Sequence, residues 1–367
     1  MKITGAQVFE ARGAFVERDL YIDGALLTDR DCGGETVDAA GCYALPGLTD
    51  VHFHGAKGFD FSDGDPEGLA AIADYELSRG VTQICPAGMT LLPEQLEKIC
   101  AVAAAHKAAK RGGADLSGVN LEGPFLSMGK KGAQNGDWLQ SPDVELLRRL
   151  EKISGGLVKL VSVAPELPGA LDFIRAVADE VTVSIAHTEA DYDTAMAAFA
   201  AGAGQVTHLY NAMKPFTHRA PGVVGAAFDT PDCRVELICD GVHIHPAVVR
   251  ATFKLFGADR VVLVSDTMRA AGMEDGEYTL GGQAVTKKGK HATLAGSVTD
   301  LMGCMKTAVS FGISLADAVR AAAVNPARAI GVYSRCGSLD SGKRANVVLL
   351  DRDLNIKHVV FRGEVVS

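Results

Sequence analysis

At 367 residues, the chain is long enough for one large α/β domain of roughly 250 residues with a smaller domain beside it. The 36 Lys and Arg residues against 45 Asp and Glu residues give a formal net charge of −9, which argues against a nucleic-acid partner and against an anionic membrane surface. No apolar run approaches the roughly 20 residues that a membrane-spanning helix needs.

The eight cysteines are dispersed along the chain, and no two of them form a CxxC pair. Such spacing is not typical of a small secreted disulfide framework. The N-terminal stretch MKITGAQVFEARG also lacks the apolar core of a signal peptide. We therefore expect reduced thiols and a cytoplasmic protein.

Short strand-like segments punctuated by Gly and Asp occupy both ends of the chain. They fill residues 1–46 and recur in residues 336–367. Neither end is long enough to bury a core of its own. The sequence therefore predicts one small β-sandwich domain built from 1–46 and 336–367, with residues 47–335 inserted between the two parts as the main domain.

The main domain alternates apolar runs rich in β-branched residues with Ala-rich amphipathic stretches. Eight such runs occur, at 48–55, 81–87, 118–124, 157–165, 181–189, 205–212, 234–243 and 260–268. Apolar strands that alternate with helices are typical of a parallel sheet covered by helices, and eight units favour a closed (β/α)8 TIM barrel. After the eighth run, YTLGGQAVTKKGKHATL predicts a hairpin, and two further helices follow it.

Six of the eight runs end in side chains that can bind a metal or move a proton. In chain order these are His52 and His54, Glu122, His187, His208, Asp240 with His243, and Asp266. Catalytic residues of TIM barrels gather at the carboxyl ends of the strands, because the loops there surround one cavity. Alternation along a strand places His52 and His54 on the same side, so that both can face the barrel axis. One such side chain alone is more often structural, but their joint recurrence predicts a metal centre.

Imidazole nitrogens with one carboxylate suit Zn²⁺, and also Fe²⁺, Mn²⁺ or Co²⁺. A catalytic metal keeps one position open for water and lowers the pKa of that water to about 7. The resulting hydroxide can attack an amide carbonyl, and the departing amine then needs a proton. Asp266 is placed to take the proton from water and to pass it to nitrogen. The sequence therefore predicts a metal-dependent amide hydrolase.

The sequence resembles the amidohydrolase superfamily and, within it, the N-acetylglucosamine-6-phosphate deacetylase family. The segments that carry the resemblance run in order through nearly the whole chain: PGLTDVHFHGAKGFDF, LEGPFLSMGKKGAQN, IAHTEA, VTHLYNAMKPFTHRAPGVVGAAF, ELICDGVHIHP, LVSDTMRAAG, LAGSVTD, NPARAIG and GKRANVVLLD. The resemblance implies hydrolysis of the acetamide of N-acetylglucosamine 6-phosphate to glucosamine 6-phosphate and acetate, in amino-sugar catabolism or cell-wall recycling.

The resemblance also implies a role for each matching position. Glu122, His187 and His208 match the primary metal ligands, and Asp266 matches the catalytic acid/base. His52 and His54 match a pair that holds a second metal where it is present, so one or two ions per chain are expected. Substrate contacts are implied for Ala133, Gln134, Asn211, Ala212, Asp240, Leu294, Ala295 and Gly296. Arg219 and His243 match phosphate ligands that reach the neighbouring active site of a homodimer.

Gln134 occupies a position that varies among these relatives. Some of them carry a His there that helps to polarise the acetamide carbonyl, and those relatives tend to lack the HxH pair. Here the pair is intact and that His is absent. We therefore expect a second metal at His52 and His54 to supply the electrophilic help, with Gln134 acting only as a hydrogen-bond donor.

Two other interpretations stay open at this point. A related amidohydrolase could act on N-acetylgalactosamine 6-phosphate, an N-acyl amino acid or a cyclic amide, and the phosphate dependence of kcat/KM would separate these activities. A non-catalytic scaffold on the same barrel is the other alternative. Such proteins usually lose ligands, whereas all five metal ligands and Asp266 are present here.

Overall fold

A computed structural model describes residues 1–109, 111–289 and 296–367, together with the backbone of 291–292. Eight short parallel strands form its centre, one within each predicted apolar run. They are β1 (Leu48–Asp50), β2 (Val81–Ile84), β3 (Val119–Leu121), β4 (Val158–Val163), β5 (Thr182–Ile185), β6 (Gln205–Val206), β7 (Arg234–Ile238) and β8 (Val261–Val264).

Each strand hydrogen-bonds to the next. β1 pairs with β2, the continuation of β2 at Ala87–Gly88 pairs with β3, and parallel pairing then runs without a gap to β8. Between β8 and β1, Asp266 N donates to His52 O at 2.9 Å and His54 N donates to Thr267 O at 2.7 Å. The last strand therefore meets the first at their carboxyl ends, as in a fold of the TIM-barrel type.

One helix follows each strand. The helices are α1 (Pro66–Ser78), α2 (Pro93–Ala109), α3 (Val144–Ser154), α4 (Ala170–Val177), α5 (Tyr192–Ala201), α6 (Gly222–Asp229), α7 (Pro246–Phe256) and α8 (Leu301–Ser310). Local sequence sets their ends: α1 starts with Pro66 after Asp65, whose carboxylate accepts from Glu67 N, and α3 ends at Gly155 with φ 67°. The buried faces of these helices pack on the strands in one large apolar core.

The segment between β8 and α8 carries the predicted hairpin. Gly276–Leu280 pairs antiparallel with Gln283–Lys288, and His291–Ala292 adds a third short strand. After α8, the second predicted helix is divided into Leu315–Val319, a π-helical turn at Arg320–Val324, and Asn325–Ala329. Pro326, which has no backbone N–H to donate, explains why one regular ladder of helical hydrogen bonds does not continue.

Both ends of the chain contribute to two further sheets. The larger sheet runs Glu364–Val365, Ile356–Phe361, Val347–Leu350, Tyr43–Pro46, Gln7–Glu10, Ala14–Glu17, and the smaller runs Leu26–Thr28, Leu20–Asp23, Lys2–Thr4, Thr36–Asp38. Tyr43–Pro46 lies antiparallel to Val347–Leu350, so the two ends meet in one sheet. Side chains of both sheets share a second apolar core.

No helix within the described part of the chain is long and apolar enough to cross a bilayer. The eight cysteines are all free thiols, and six of them are buried.

Candidate active site

The side chains at the strand ends converge at the carboxyl end of the barrel. His54, Glu122, His187, His208 and Asp266 line a cavity of about 360 Å³, and the fully buried His52 lies beside them. They are held by the segments that follow β1, β3, β5, β6 and β8. The placement predicted from the strand ends is therefore present in the folded chain.

Three ligand atoms of one group lie almost in contact. Nε2 of His187 and Nε2 of His208 are 3.1 Å apart, and each lies 3.0–3.1 Å from Oε1 of Glu122. Tetrahedral ligands at about 2.0–2.1 Å from a zinc ion are roughly 3.3 Å from one another. This group therefore has the spacing of ligands around a single ion.

His52, His54 and Asp266 form a second group, whose ligand atoms lie within 4.8 Å of one another. Nε2 of His54 is 3.3 Å from Oδ1 of Asp266, and Nε2 of His52 is 3.7 Å from the same oxygen. Glu122 connects the two groups, because Oε1 is 3.3 Å from Nε2 of His52 and Oε2 is 3.4 Å from Nε2 of His54. One carboxylate thus faces both positions.

Three of the four imidazoles are oriented through their other nitrogen. Nδ1 of His187 lies 2.8 Å from Lys130 O, Nδ1 of His54 lies 3.1 Å from Ala87 O, and Nδ1 of His52 lies 2.8 Å from Oε2 of Glu236. Since carbonyl and carboxylate oxygens accept here, Nδ1 carries a proton in each ring, and Nε2, which faces the cluster, is the nitrogen that can bind a metal when it is deprotonated. Nε2 of His52 has no hydrogen-bond partner although it is buried. The arrangement fits one or two divalent ions of the kind that prefer imidazole and carboxylate.

The backbone is strained at three of the metal-ligand candidates. His187, His208 and Asp266 have φ values of 43°, 28° and 51°, in the left-handed region that residues with a Cβ rarely adopt. A conformation of this kind costs about 1–3 kcal/mol per residue. The strain turns the chain sharply at the ends of β5, β6 and β8, which brings each side chain to the cavity.

The two buried carboxylates of the site have low pKa values. Burial alone would raise the pKa of Glu122, but the charge on His52 and the hydrogen bonds from His187 and His208 lower it well below its usual range. Burial also raises the pKa of Asp266. The hydrogen bond from His54 and the charges on His52 and His54 lower it by more, so the pKa of Asp266 lies below its usual value. Both groups are therefore present as acceptors.

Gln134 is buried, and both ends of its amide are engaged within the protein. Nε2 donates to Oε2 of Glu122 at 2.7 Å, and Oε1 accepts from Thr90 N at 2.6 Å. The amide donor that we expected to serve the substrate is thus directed at a metal-ligand candidate. Gln134 and the adjacent Ala133 both line the cavity.

The residues expected to contact the sugar phosphate divide into three sets. Asn211, Ala212, His243 and Gly296 line the cavity. Leu294 and Ala295 lie outside the described residues. Arg219 is exposed and is not among the described residues of the cavity wall.

His243 corrects one expectation. We expected it to reach a neighbouring active site, whereas its side chain lines the cavity of its own chain. Asp240, which is not itself on the cavity wall, explains this position: its carboxylate accepts from Nδ1 of His243 at 2.8 Å and from the backbone of Val242 and His243 at 2.9 Å. Burial lowers the pKa of His243, but the Asp240 hydrogen bond and charge raise it overall.

Glu236 and six residues of the cavity wall were not predicted from the sequence. The six come from four separate segments of the chain, and nothing in their local sequence marks them: Met89, Gly129, Lys130, Gly132, Ile238 and Leu280. Glu236 left a visible signal, since it is a carboxylate in the middle of the apolar strand RVELI. A buried charge in such a position needs a partner inside the protein.

Comparison with known proteins agrees with this geometry. The amidohydrolase family model matches residues 43–366. The N-acetylglucosamine-6-phosphate deacetylase of Bacillus subtilis is 36% identical over 88% of this chain and 84% of its own length. The N-acetylgalactosamine-6-phosphate deacetylase of Escherichia coli O157:H7 is 35% identical over 88% of this chain and 87% of its own.

Solved structures give the same result. An alanine variant of the N-acetyl-D-glucosamine-6-phosphate deacetylase of Mycobacterium smegmatis, in complex with N-acetyl-D-glucosamine-6-phosphate, matches with a TM-score of 0.92 and 32% identity, over 100% of this chain and 98% of that one. Molinate hydrolase, at 17% identity and a TM-score of 0.64, shares the fold alone. The chain therefore belongs to the amidohydrolase family, among the deacetylases of N-acetylhexosamine 6-phosphates.

Proposed function

We propose that the protein hydrolyses the acetamide of N-acetylglucosamine 6-phosphate to glucosamine 6-phosphate and acetate. The observation that carries the proposal is the pair of ligand groups joined by Glu122 beneath a cavity of about 360 Å³. A cavity of this size suits one small ligand. Relatives of that name share 32–36% identity with this chain over most of its length.

The residues of the chain divide the reaction between them. His243, whose pKa is raised by Asp240, offers positive charge to the phosphate, and Asn211 with the backbone of Ala212 orients the sugar. Glu122, His187 and His208, with His52, His54 and Asp266, would hold divalent metal, which when bound would supply Lewis acidity toward the carbonyl and toward water. Asp266 accepts the proton of the attacking water and delivers it to the departing nitrogen. Gln134 keeps Glu122 in place through its amide donor and also lines the cavity that would hold the acetamide.

The ion we propose is Zn²⁺, with Fe²⁺, Mn²⁺ and Co²⁺ as alternatives. Four imidazoles and two carboxylates support this choice, since such mixed N and O donors suit these ions. We propose two ions per chain, because each ligand group has three donors of its own and both meet Glu122.

We further propose a cytoplasmic homodimer in which Arg219 reaches the neighbouring active site. The exposure of Arg219, away from the cavity wall of its own chain, supports a contact across subunits. Its planar guanidinium suits a phosphate group. The shared core of the two outer sheets supports a β-sandwich domain made from 1–46 and 336–367, outside a barrel of 47–335.

N-Acetylgalactosamine 6-phosphate is a second candidate substrate, because a relative named for that activity is 35% identical over 88% of this chain. The test is acetate release from both sugar phosphates, from unphosphorylated N-acetylglucosamine and from an N-acetyl amino acid. Elemental analysis of the same preparation counts the metal. We expect the highest kcat/KM on N-acetylglucosamine 6-phosphate and a large loss without the phosphate. Metal-loaded protein that releases no acetate from either sugar phosphate would refute the proposal.

A further inference from the structure

Glu236 is a fully buried carboxylate in β7, and it accepts three hydrogen bonds. Nε2 of Gln205 donates to Oε1 at 2.7 Å, while Nδ1 of His52 at 2.8 Å and the backbone N–H of His208 at 3.2 Å donate to Oε2. Among the described residues, the only ion-pair partner of Glu236 is the imidazole of His52. A buried carboxylate without a Lys or Arg partner is costly, so it must be stabilised by the groups that it holds.

These contacts connect the two ligand groups of the site. Oε2 of Glu236 accepts from Nδ1 of His52 and so aligns its ring. His52 forms one group of candidate metal ligands with His54 and Asp266. The same oxygen accepts from the backbone N–H of His208, whose φ is 28°. His208 forms the other group of candidate metal ligands with Glu122 and His187. Glu236 does not line the cavity, so it acts through these two residues and not on a substrate.

We propose that Glu236 is a positioning residue that sets how tightly the group of His52, His54 and Asp266 binds a divalent ion. Because Oε2 accepts from Nδ1, the ring of His52 is held with Nε2 toward the other ligands, 3.7 Å from Oδ1 of Asp266. A carboxylate acceptor at Nδ1 also makes the opposite nitrogen a stronger ligand. The inference rests on the proposed metal centre.

The experiment compares Glu236→Gln with the wild-type chain, both loaded with Zn²⁺. The amide keeps the size of the side chain and can still accept from His52, but it removes the charge. We expect two equivalents of zinc in the wild type, and second-ion binding in the variant that is about 10- to 100-fold weaker by chelator competition. The ion at Glu122, His187 and His208 should be retained. Excess Zn²⁺ should restore turnover in the variant.

Gln205→Leu is the matched control, because it removes a buried hydrogen bond to Glu236 and leaves the contact between Glu236 and His52 in place. We expect both variants to lower the thermal midpoint, but only Glu236→Gln to weaken the second ion. Unchanged chelator competition in Glu236→Gln, or equal weakening in both variants, overturns the inference. A wild-type chain that binds a single equivalent overturns it too, whereas acetate release by that chain leaves the proposed function standing.

Discussion

Asp266 contacts His54 and lines the cavity, so on the proposed mechanism it both holds this contact and exchanges a proton with the reacting groups. An amide at this position can keep the contact but cannot carry the proton. In Asp266→Asn we therefore expect turnover to fall by about 10²- to 10⁴-fold. The ion at Glu122, His187 and His208 should stay bound, which elemental analysis checks alongside acetate release. Wild-type turnover in this variant would contradict the role of Asp266.

The pair of Asp240 and His243 predicts a dependence of substrate affinity on pH. Asp240 raises the pKa of His243 above its ordinary value of 6.5, so the ring stays charged to a higher pH than a free imidazole. We expect KM for the sugar phosphate to rise as pH rises through that pKa. Asp240→Asn removes the larger cause of the raised pKa of His243 and leaves the charge of Asp266, so the rise in KM should begin at lower pH.

The free energy of unfolding should also fall as pH rises through the pKa of His243. Because the folded pKa of His243 is raised, its contribution to the free energy of unfolding is complete below the unfolded pKa of 6.5 and is lost as pH rises through the folded pKa. Profiles of KM against pH that coincide for the wild type and Asp240→Asn would show that this ring carries no charge toward the phosphate.

At the scale of elements, the hairpin after β8 closes one side of the cavity. A Cβ added at Gly281 would lie 2.5 Å from the carbonyl oxygen of Ala133 and 2.8 Å from Met89, two residues of the cavity wall. Leu280, beside it, lines the cavity too. The hairpin therefore packs against the loop that carries Gln134, and the absence of a side chain at Gly281 permits this.

Gly281→Ala should move the hairpin away from that loop and raise KM severalfold. The neighbouring Gly282 offers a matched control, because it also has a positive φ, 78° against 56° for Gly281, and a Cβ there meets nothing within 4 Å. Both substitutions cost about 1 kcal/mol for the backbone conformation. Only Gly281→Ala should also change KM in acetate-release kinetics. Equal KM values in the two variants would show that the hairpin does not shape the cavity.

The elements show where sequence reasoning succeeded and where it stopped. Apolar runs located all eight strands, and strand-end side chains located the ligand groups, because both patterns are local. The bond between His52 and Glu236 joins residues 184 positions apart, and the contact of Gln134 with Glu122 depends on how one loop folds over another strand. The resemblance placed His243 in a neighbouring site, whereas the Asp240 hydrogen bond holds it in its own.

For the whole molecule, the proposed dimer gives a complementation test. An active site needs Asp266 from its own chain and, on the proposal, Arg219 from the partner. Homodimers of Arg219→Ala and of Asp266→Asn should both be impaired. Mixed subunits that re-associate should regain roughly one quarter of the sites, since half of the random dimers are mixed and each has one complete site. A mixture no more active than its components would place Arg219 outside the neighbouring site.

The sheet shared by the two ends of the chain also has a consequence for biosynthesis. Tyr43–Pro46 pairs with Val347–Leu350, so one edge of this N-terminal strand finds its partner only after about 300 further residues have been made. At about 5–20 residues per second, that interval is roughly 15–60 s. Throughout it, an apolar strand edge is available to neighbouring nascent chains. A circular permutant that joins these strands early should therefore aggregate less during translation than the natural order.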